Sequence, residues 1–140
     1  TWAGAGHGEY PTIDTFDYEE TVNFSHVGKP FLAYTQLTKH AADGRLLHSE
    51  TGFWRMARPD WAEVVIAQPT GIADIAEGTV AGSAILLRST AIARTSTAKQ
   101  VTVVERDVTI DGDMLRYSLR MAAIGQPLAP HLAAELHRVE

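Results

Sequence analysis

Hydrophobic and polar positions alternate along most of this chain and rarely repeat at a helical spacing. Phe16, Tyr18, Glu20, Val22, Phe24 and His26 share one face at period two, while Asp17, Glu19, Thr21, Asn23 and Ser25 share the other. Val27-Gly28-Lys29-Pro30 reads as a turn. A second strand is predicted over residues 31–39, with Tyr34, Gln36 and Thr38 facing away from Ala33, Thr35 and Leu37. Asp43-Gly44 is a hairpin signal, and the strand after it, 46–56, ends at Arg58-Pro59-Asp60. Residues 61–68 form the next strand, closed by Pro69-Thr70-Gly71. Short strands are expected over 71–77, 79–81, 84–87 and 91–95, with Glu77-Gly78 turning between the first two. Two long strands, 99–110 and 114–123, meet at Asp111-Gly112. Residues 128–139 contain the helix-forming run Leu-Ala-Ala-Glu-Leu, but they follow a proline and close a chain of strands, so a strand is favoured.

About ten short strands joined by tight turns predict an all-β fold, an antiparallel up-and-down β-barrel. Closure removes sheet edges, and the interior, lined by alternate side chains, can hold one small ligand. No linker, low-complexity tract or fixed-period repeat interrupts residues 1–140, so they read as a single domain.

Charge and composition narrow the function. The formal net charge is -5, from 12 basic and 17 acidic side chains. That balance argues against a nucleic-acid or anionic-membrane partner. No window holds the roughly 18 apolar residues that a membrane span needs, and no signal peptide is visible after Thr1. A cytoplasmic protein is expected. Cysteine is absent, which removes disulfides, zinc–thiolate sites, iron–sulfur clusters, thiolate-ligated haem and covalent haem attachment. Any metal or haem is therefore held by nitrogen or oxygen, and any haem non-covalently.

The segment Gln126-Pro127-Leu128-Ala129-Pro130-His131-Leu132 sets a histidine among apolar neighbours. Burial disfavours the charged imidazole, and a neutral ring offers one nitrogen lone pair to a metal or haem iron. The same surroundings also suit a hydrogen-bonded core histidine. Phosphate-binding glycine loops, His-Glu-x-x-His helices and Gly-x-Ser-x-Gly elbows are absent. Glu19 and Glu20 fall on opposite faces, against a paired-carboxylate hydrolase.

Several segments, in order and at compatible spacing, together resemble the nitrobindin family. They are Trp2-Ala3-Gly4-Ala5-Gly6, Gly8-Glu9-Tyr10-Pro11-Thr12-Ile13, Phe16 and Tyr18, and Gly28-Lys29-Pro30-Phe31-Leu32-Ala33-Tyr34-Thr35-Gln36. Leu47-His48-Ser49-Glu50-Thr51-Gly52-Phe53, Ala67-Gln68-Pro69-Thr70-Gly71, Ala98-Lys99, Leu115-Arg116-Tyr117, Met121 and Pro130-His131-Leu132 continue the series. The family's Gly-x-Trp-x-Gly-x-Gly pattern is met at Trp2, Gly4 and Gly6, its first glycine falling before Thr1.

The resemblance implies a ten-stranded barrel similar to fatty-acid-binding proteins, with non-covalent haem b held mainly ferric. It implies isomerisation of peroxynitrite to nitrate and binding of nitric oxide, and it leaves a homodimer open. His131 falls on the proximal iron ligand, and Thr12 and Lys99 fall on haem-contact positions. A ferric iron bound by His131 alone keeps one position open, where the weak O–O bond of peroxynitrite can be polarised without net consumption of electrons.

The remaining residues are weighed against ordinary structural roles. Leu47, Val101 and Met121 are candidates for an apolar distal lining. His48 resembles a distal histidine, yet adjacent strand residues point to opposite faces, so Leu47 and His48 face inward together only across a bulge or at a rim. A local bond from His48 to Glu50 or to backbone is the competing reading. Gln68 is either a distal-rim donor or a structural amide. Lys99 suits a haem propionate as a point charge or is a solvated strand end. Thr12 contacts haem or caps the turn after Pro11. Gly4 and Gly6 suit close backbone packing, and Trp2 suits a plug at the barrel bottom. His137, six residues beyond His131, is a reserve ligand if both face inward on one strand; His7, His26 and His40 are weaker. Two alternatives stand beside the isomerase: a nitric oxide carrier or sensor, and a haem-free barrel holding a lipophile through Arg106, Arg116 or Arg120.

Overall fold

The computed structural model describes residues 1–140 as ten strands and no helix. They are β1 (Trp2–Tyr10), β2 (Ile13–Ser25), β3 (Phe31–His40), β4 (Leu46–Arg58) and β5 (Trp61–Gln68). The second half is β6 (Ile72–Ala81), β7 (Ala84–Arg94), β8 (Val101–Asp111), β9 (Met114–Ala123) and β10 (Ala129–Arg138). Each strand pairs antiparallel with the next, and β1 pairs with β10 from Trp2↔Arg138 to Gly8↔Leu132, closing the barrel. The expected up-and-down topology and the closing strand are both present.

Three local expectations are corrected. Residues 2–10 form a full strand that the hydrophobic pattern did not predict. Their inward positions are Trp2, Gly4, Gly6, Gly8 and Tyr10, and glycine adds nothing to a hydrophobic alternation. Glu77-Gly78 is not a turn, and β6 runs straight through it. Gly78 serves a close approach there: a Cβ on it would lie 1.6 Å from the Leu86 carbonyl oxygen on β7. Segments 84–87 and 91–95 are one strand with an irregularity against β6 between Ile75 and Ala76, where the Thr90 hydroxyl donates to the Ile75 carbonyl at 3.3 Å.

The interior divides along the barrel axis. At the end holding the chain termini, Trp2, Val22, Tyr34, Val64, Leu115 and Leu136 pack into the larger core. Trp2 is the bottom plug, with the Arg138 guanidinium 4.8 Å from its ring centroid. Burying such aromatic and aliphatic side chains contributes roughly 1.5–3 kcal/mol apiece. A smaller cluster of Tyr10, Ile72, Val101, Val104, Leu119 and Ala123 lies toward the opposite end, where the 11–12, 41–45, 69–71, 95–100 and 124–128 connections meet. This second end is not filled.

Candidate functional site

The open end holds a cavity of about 560 Å³, within the usual range for small-molecule sites. Six of the eight predicted site residues line it: His131, Leu47, His48, Gln68, Val101 and Met121. The other two do not. Thr12 is exposed in the β1–β2 turn beside Ile13, which lines the mouth, and Lys99 is exposed in the loop two residues before Val101. Both lie at the open end. The strand expected to begin at Lys99 begins at Val101.

Two bulges aim the histidines. On β10 the register against β9 shifts between Pro130 and Leu132, so His131 is an extra residue without a cross-strand partner. A bulge lets neighbouring residues share a face, and both His131 and Leu132 line the cavity. Beyond it the parity is inverted. Ala134 and Leu136 point inward, while His137 faces out at 3.5 Å from Glu135 Oε1. The reserve-ligand reading of His137 is therefore corrected. On β4 the register against β3 shifts between Thr38 and Lys39, leaving Leu47 as the extra residue. Leu47 and His48 both reach the cavity for that reason.

His131 is held in one orientation. Its Nδ1 lies 2.9 Å from the carbonyl oxygen of Glu9, and its ring packs edge-on to Tyr10 at 5.5 Å between centroids. A carbonyl only accepts, so Nδ1 carries the proton and Nε2 keeps its lone pair. Burial lowers the affinity of this ring for a second proton, with nearby His48 adding to the effect and the Glu9 contact opposing it.

The floor is polar, which sequence reasoning missed. Arg106 donates to Asp74 Oδ2 at 2.8 Å and to Glu50 Oε1 at 3.2 Å. Tyr34 donates to Glu50 Oε2 at 3.0 Å. Beside this group, Glu20 accepts from the Tyr117 hydroxyl at 2.6 Å and from Gln36 Nε2 at 3.1 Å, and the Tyr117 and Tyr18 hydroxyls meet at 2.8 Å. Burial pushes the Glu20 carboxyl up to about 7, against the lowering effect of its donors. Burial also acts on Glu50, but Arg106, His48 and Tyr34 outweigh it and hold that carboxyl at about 2. Asp74 shares the same guanidinium but has one oxygen without a partner, and burial raises it. The signal was available in the sequence: alternation put Glu20 on one face with Tyr18 and Val22, and Gln36 and Thr38 on one face with Tyr34, polar residues among apolar ones on what proves to be the interior.

A family model for a THAP4-like, heme-binding beta-barrel domain matches residues 1–138. The chain belongs to this haem-binding barrel family. The nitrobindin resemblance read from the motifs agrees with that assignment. Curated relatives include a "Peroxynitrite isomerase" of Nocardia farcinica, 52% identical over 99% of this chain and 84% of its own length. A "Peroxynitrite isomerase 2" of Mycobacterium avium is 56% identical, covering 99% and 88%. Among solved structures, Rv2717c from M. tuberculosis superposes with a TM-score of 0.92 at 53% identity, covering 99% of this chain and 91% of that one.

The residues present fit a haem. The cavity presents one imidazole with a fixed, unprotonated Nε2, and the wall beside it is apolar through Val101, Val104, Leu119 and Met121. The three arginines named for the lipophile-carrier alternative are all engaged elsewhere. Arg106 points inward but is committed to Glu50 and Asp74. Arg116 and Arg120 lie on the outer surface, bonded to Glu135 and Glu105. His40, a weaker candidate, ends β3 and lines the cavity mouth. His7 and His26 are exposed. No helix is long and apolar enough to cross a membrane.

Proposed function

We propose that this protein binds haem b in the ferric state through His131 Nε2 and isomerises peroxynitrite to nitrate, with nitric oxide as a second ligand and the cytoplasm as its setting. The observation that carries the reading is the His131–Glu9 contact, which presents a neutral imidazole nitrogen to a cavity large enough for a cofactor. The names of relatives more than half identical over nearly the whole chain support the reaction. Bound ferric haem would supply a Lewis-acidic centre at which the peroxynitrite anion rearranges with no net electron transfer.

The chain's own residues do the rest. The Glu9 carbonyl fixes the tautomer and direction of His131, the usual part of a backbone oxygen behind a ligating histidine. Val101 and Met121 line the cavity with apolar groups and exclude water. Leu47, His48 and Gln68 come from β4 and β5, on the far side of the barrel from β10. There Gln68 offers a hydrogen-bond donor to an anion, while Leu47 supplies bulk and His48 lines the wall. Thr12 and Lys99, exposed at the open end, would meet the polar edge of the cofactor, and the Lys99 ammonium would pair with a propionate.

The test is stopped-flow decay of peroxynitrite with haem-loaded protein. Catalytic acceleration with nitrate as product is expected. Decay no faster than in buffer would overturn the isomerase reading and leave a ligand carrier.

A further inference from the structure

His131 and His48 enter one cavity from opposite sides of the barrel, and the structure treats them differently. His131 has its Nδ1 tied to backbone, which frees Nε2. His48 has its Nε2 drawn the other way, to 3.6 Å from Glu50 Oε1. Nε2 is the ring nitrogen farther from the backbone and therefore the one with reach. Turned toward a carboxylate, it is not available to a metal.

Glu50 is an unusually fixed anchor. Oε1 takes Arg106 Nη2 at 3.2 Å and Oε2 takes the Tyr34 hydroxyl at 3.0 Å. The carboxylate is buried and stays ionised, held near 2. Arg106 is itself held by Asp74 at 2.8 Å. A buried anion with both oxygens engaged cannot follow the imidazole, so the more exposed imidazole is the member that is positioned. The Thr38 hydroxyl adds a 3.4 Å bond to the His48 carbonyl within the bulge.

A second imidazole in a haem cavity closes the open coordination position unless something holds it back. We propose that Glu50 is a positioning residue that keeps His48 Nε2 turned to the cavity floor, so that the face opposite His131 stays free for substrate. This rests on the haem reading above and adds the reason why a histidine facing His131 across the cavity would leave the sixth position of a bound iron open. It also gives the buried Tyr34–Glu50–Arg106–Asp74 chain a purpose beyond stability, since buried ion pairs are weak contributors to stability in themselves.

Two measurements test it. In the haem-free protein, long-range nitrogen–proton NMR reads the His48 ring. A proton on Nε2, with a nitrogen shift that moves in Glu50→Gln, is expected. An unprotonated Nε2 in the native chain overturns the clamp, and that measurement needs no variant and no haem. In the ferric haem-loaded protein, Glu50→Gln should lose most of its high-spin absorption and paramagnetic resonance signal to a low-spin bis-imidazole form. Glu50→Gln combined with His48→Leu should restore the high-spin signal. A Glu50→Gln protein that stays high-spin overturns the clamp while leaving the isomerase reading intact. Failure of the native protein to take up haem would overturn that reading instead, and would leave the NMR result standing.

Discussion

The Nδ1 atom of His131 lies 2.9 Å from the carbonyl oxygen of Glu9, on the strand next to its own. The β1–β10 ladder ends at Gly8↔Leu132, one residue short of Glu9, whose carbonyl takes the imidazole. The contact therefore depends on the bulge: with regular pairing through residue 131, the ring and the carbonyl would not meet this way. One irregular residue both points the ring inward and sets which nitrogen is free.

His131→Ala is expected to abolish stoichiometric haem binding while leaving the barrel folded. The ring sits at a position with no ladder partner and is only half-buried, so little packing is lost. A haemin titration followed by absorption should show no saturable Soret band, with the far-ultraviolet circular dichroism unchanged. Haem uptake at native affinity would show that another nitrogen holds the iron.

Alternation alone carried most of the fold. It grouped Tyr18, Glu20 and Val22 on one face of β2, and Tyr34, Gln36 and Thr38 on one face of β3, and these are the inward faces observed. It failed where side chains give no signal. Gly4, Gly6 and Gly8 hid β1, and Gly78 imitated a turn inside β6. The bulge at His131 escaped it for a different reason: an inserted residue inverts parity without leaving a local mark, which is why His137 could be paired with His131 on paper yet faces out. The bulge at Leu47 was one of two ways foreseen for Leu47 and His48 to share a face. The polar floor was half legible. Period two can say that Glu20 and Gln36 point inward. It cannot say that Tyr117, 97 residues further on, closes over Glu20, because that depends on how β9 meets β2 across the barrel. The site histidines were found through chemistry and family resemblance, and Glu50 was named as a local partner of His48; the Glu9 carbonyl that aims His131 was found only in three dimensions.

Glu20 predicts an unusual pH dependence of stability. Its carboxyl is pushed from 4.5 up to about 7 by burial, with the Tyr117 and Gln36 donors opposing and Glu50 adding to the rise. The folded state thus binds this proton more tightly than the unfolded chain does. The contribution is fully present below pH 4.5 and is lost as pH rises toward 7. A shift of this size corresponds to about 3 kcal/mol. Glu20→Gln removes the titration and keeps an acceptor for Tyr117. The stability of Glu20→Gln relative to the native chain should rise by about 3 kcal/mol between pH 4.5 and pH 8. Denaturant unfolding of both proteins across that range is the check, and a constant difference would show that Glu20 titrates normally.

Gly6→Ala tests whether the glycine row of β1 shapes the cavity floor. A Cβ at residue 6 would come within 2.3–2.5 Å of the Tyr18 ring and hydroxyl. Tyr18 has little room to retreat: it is 1% exposed, packs against Phe16 at 5.9 Å between centroids, and bonds Tyr117 through its hydroxyl. The added methyl must therefore displace the ring, and overpacking of this kind costs about 1–3 kcal/mol. The displacement also loosens Tyr117 from Glu20, so the acidic group on the floor loses part of its hydrogen bonding. Gly28→Ala provides the contrast. Gly28 has φ +77° and open space around it, so its cost is local backbone strain of about 1 kcal/mol, with nothing transmitted inward. Thermal unfolding should rank Gly6→Ala below Gly28→Ala, and only Gly6→Ala should alter the near-ultraviolet tyrosine dichroism. Equal spectra for the two would show that the Tyr18 ring finds another place, and that the floor does not depend on the glycine beneath it.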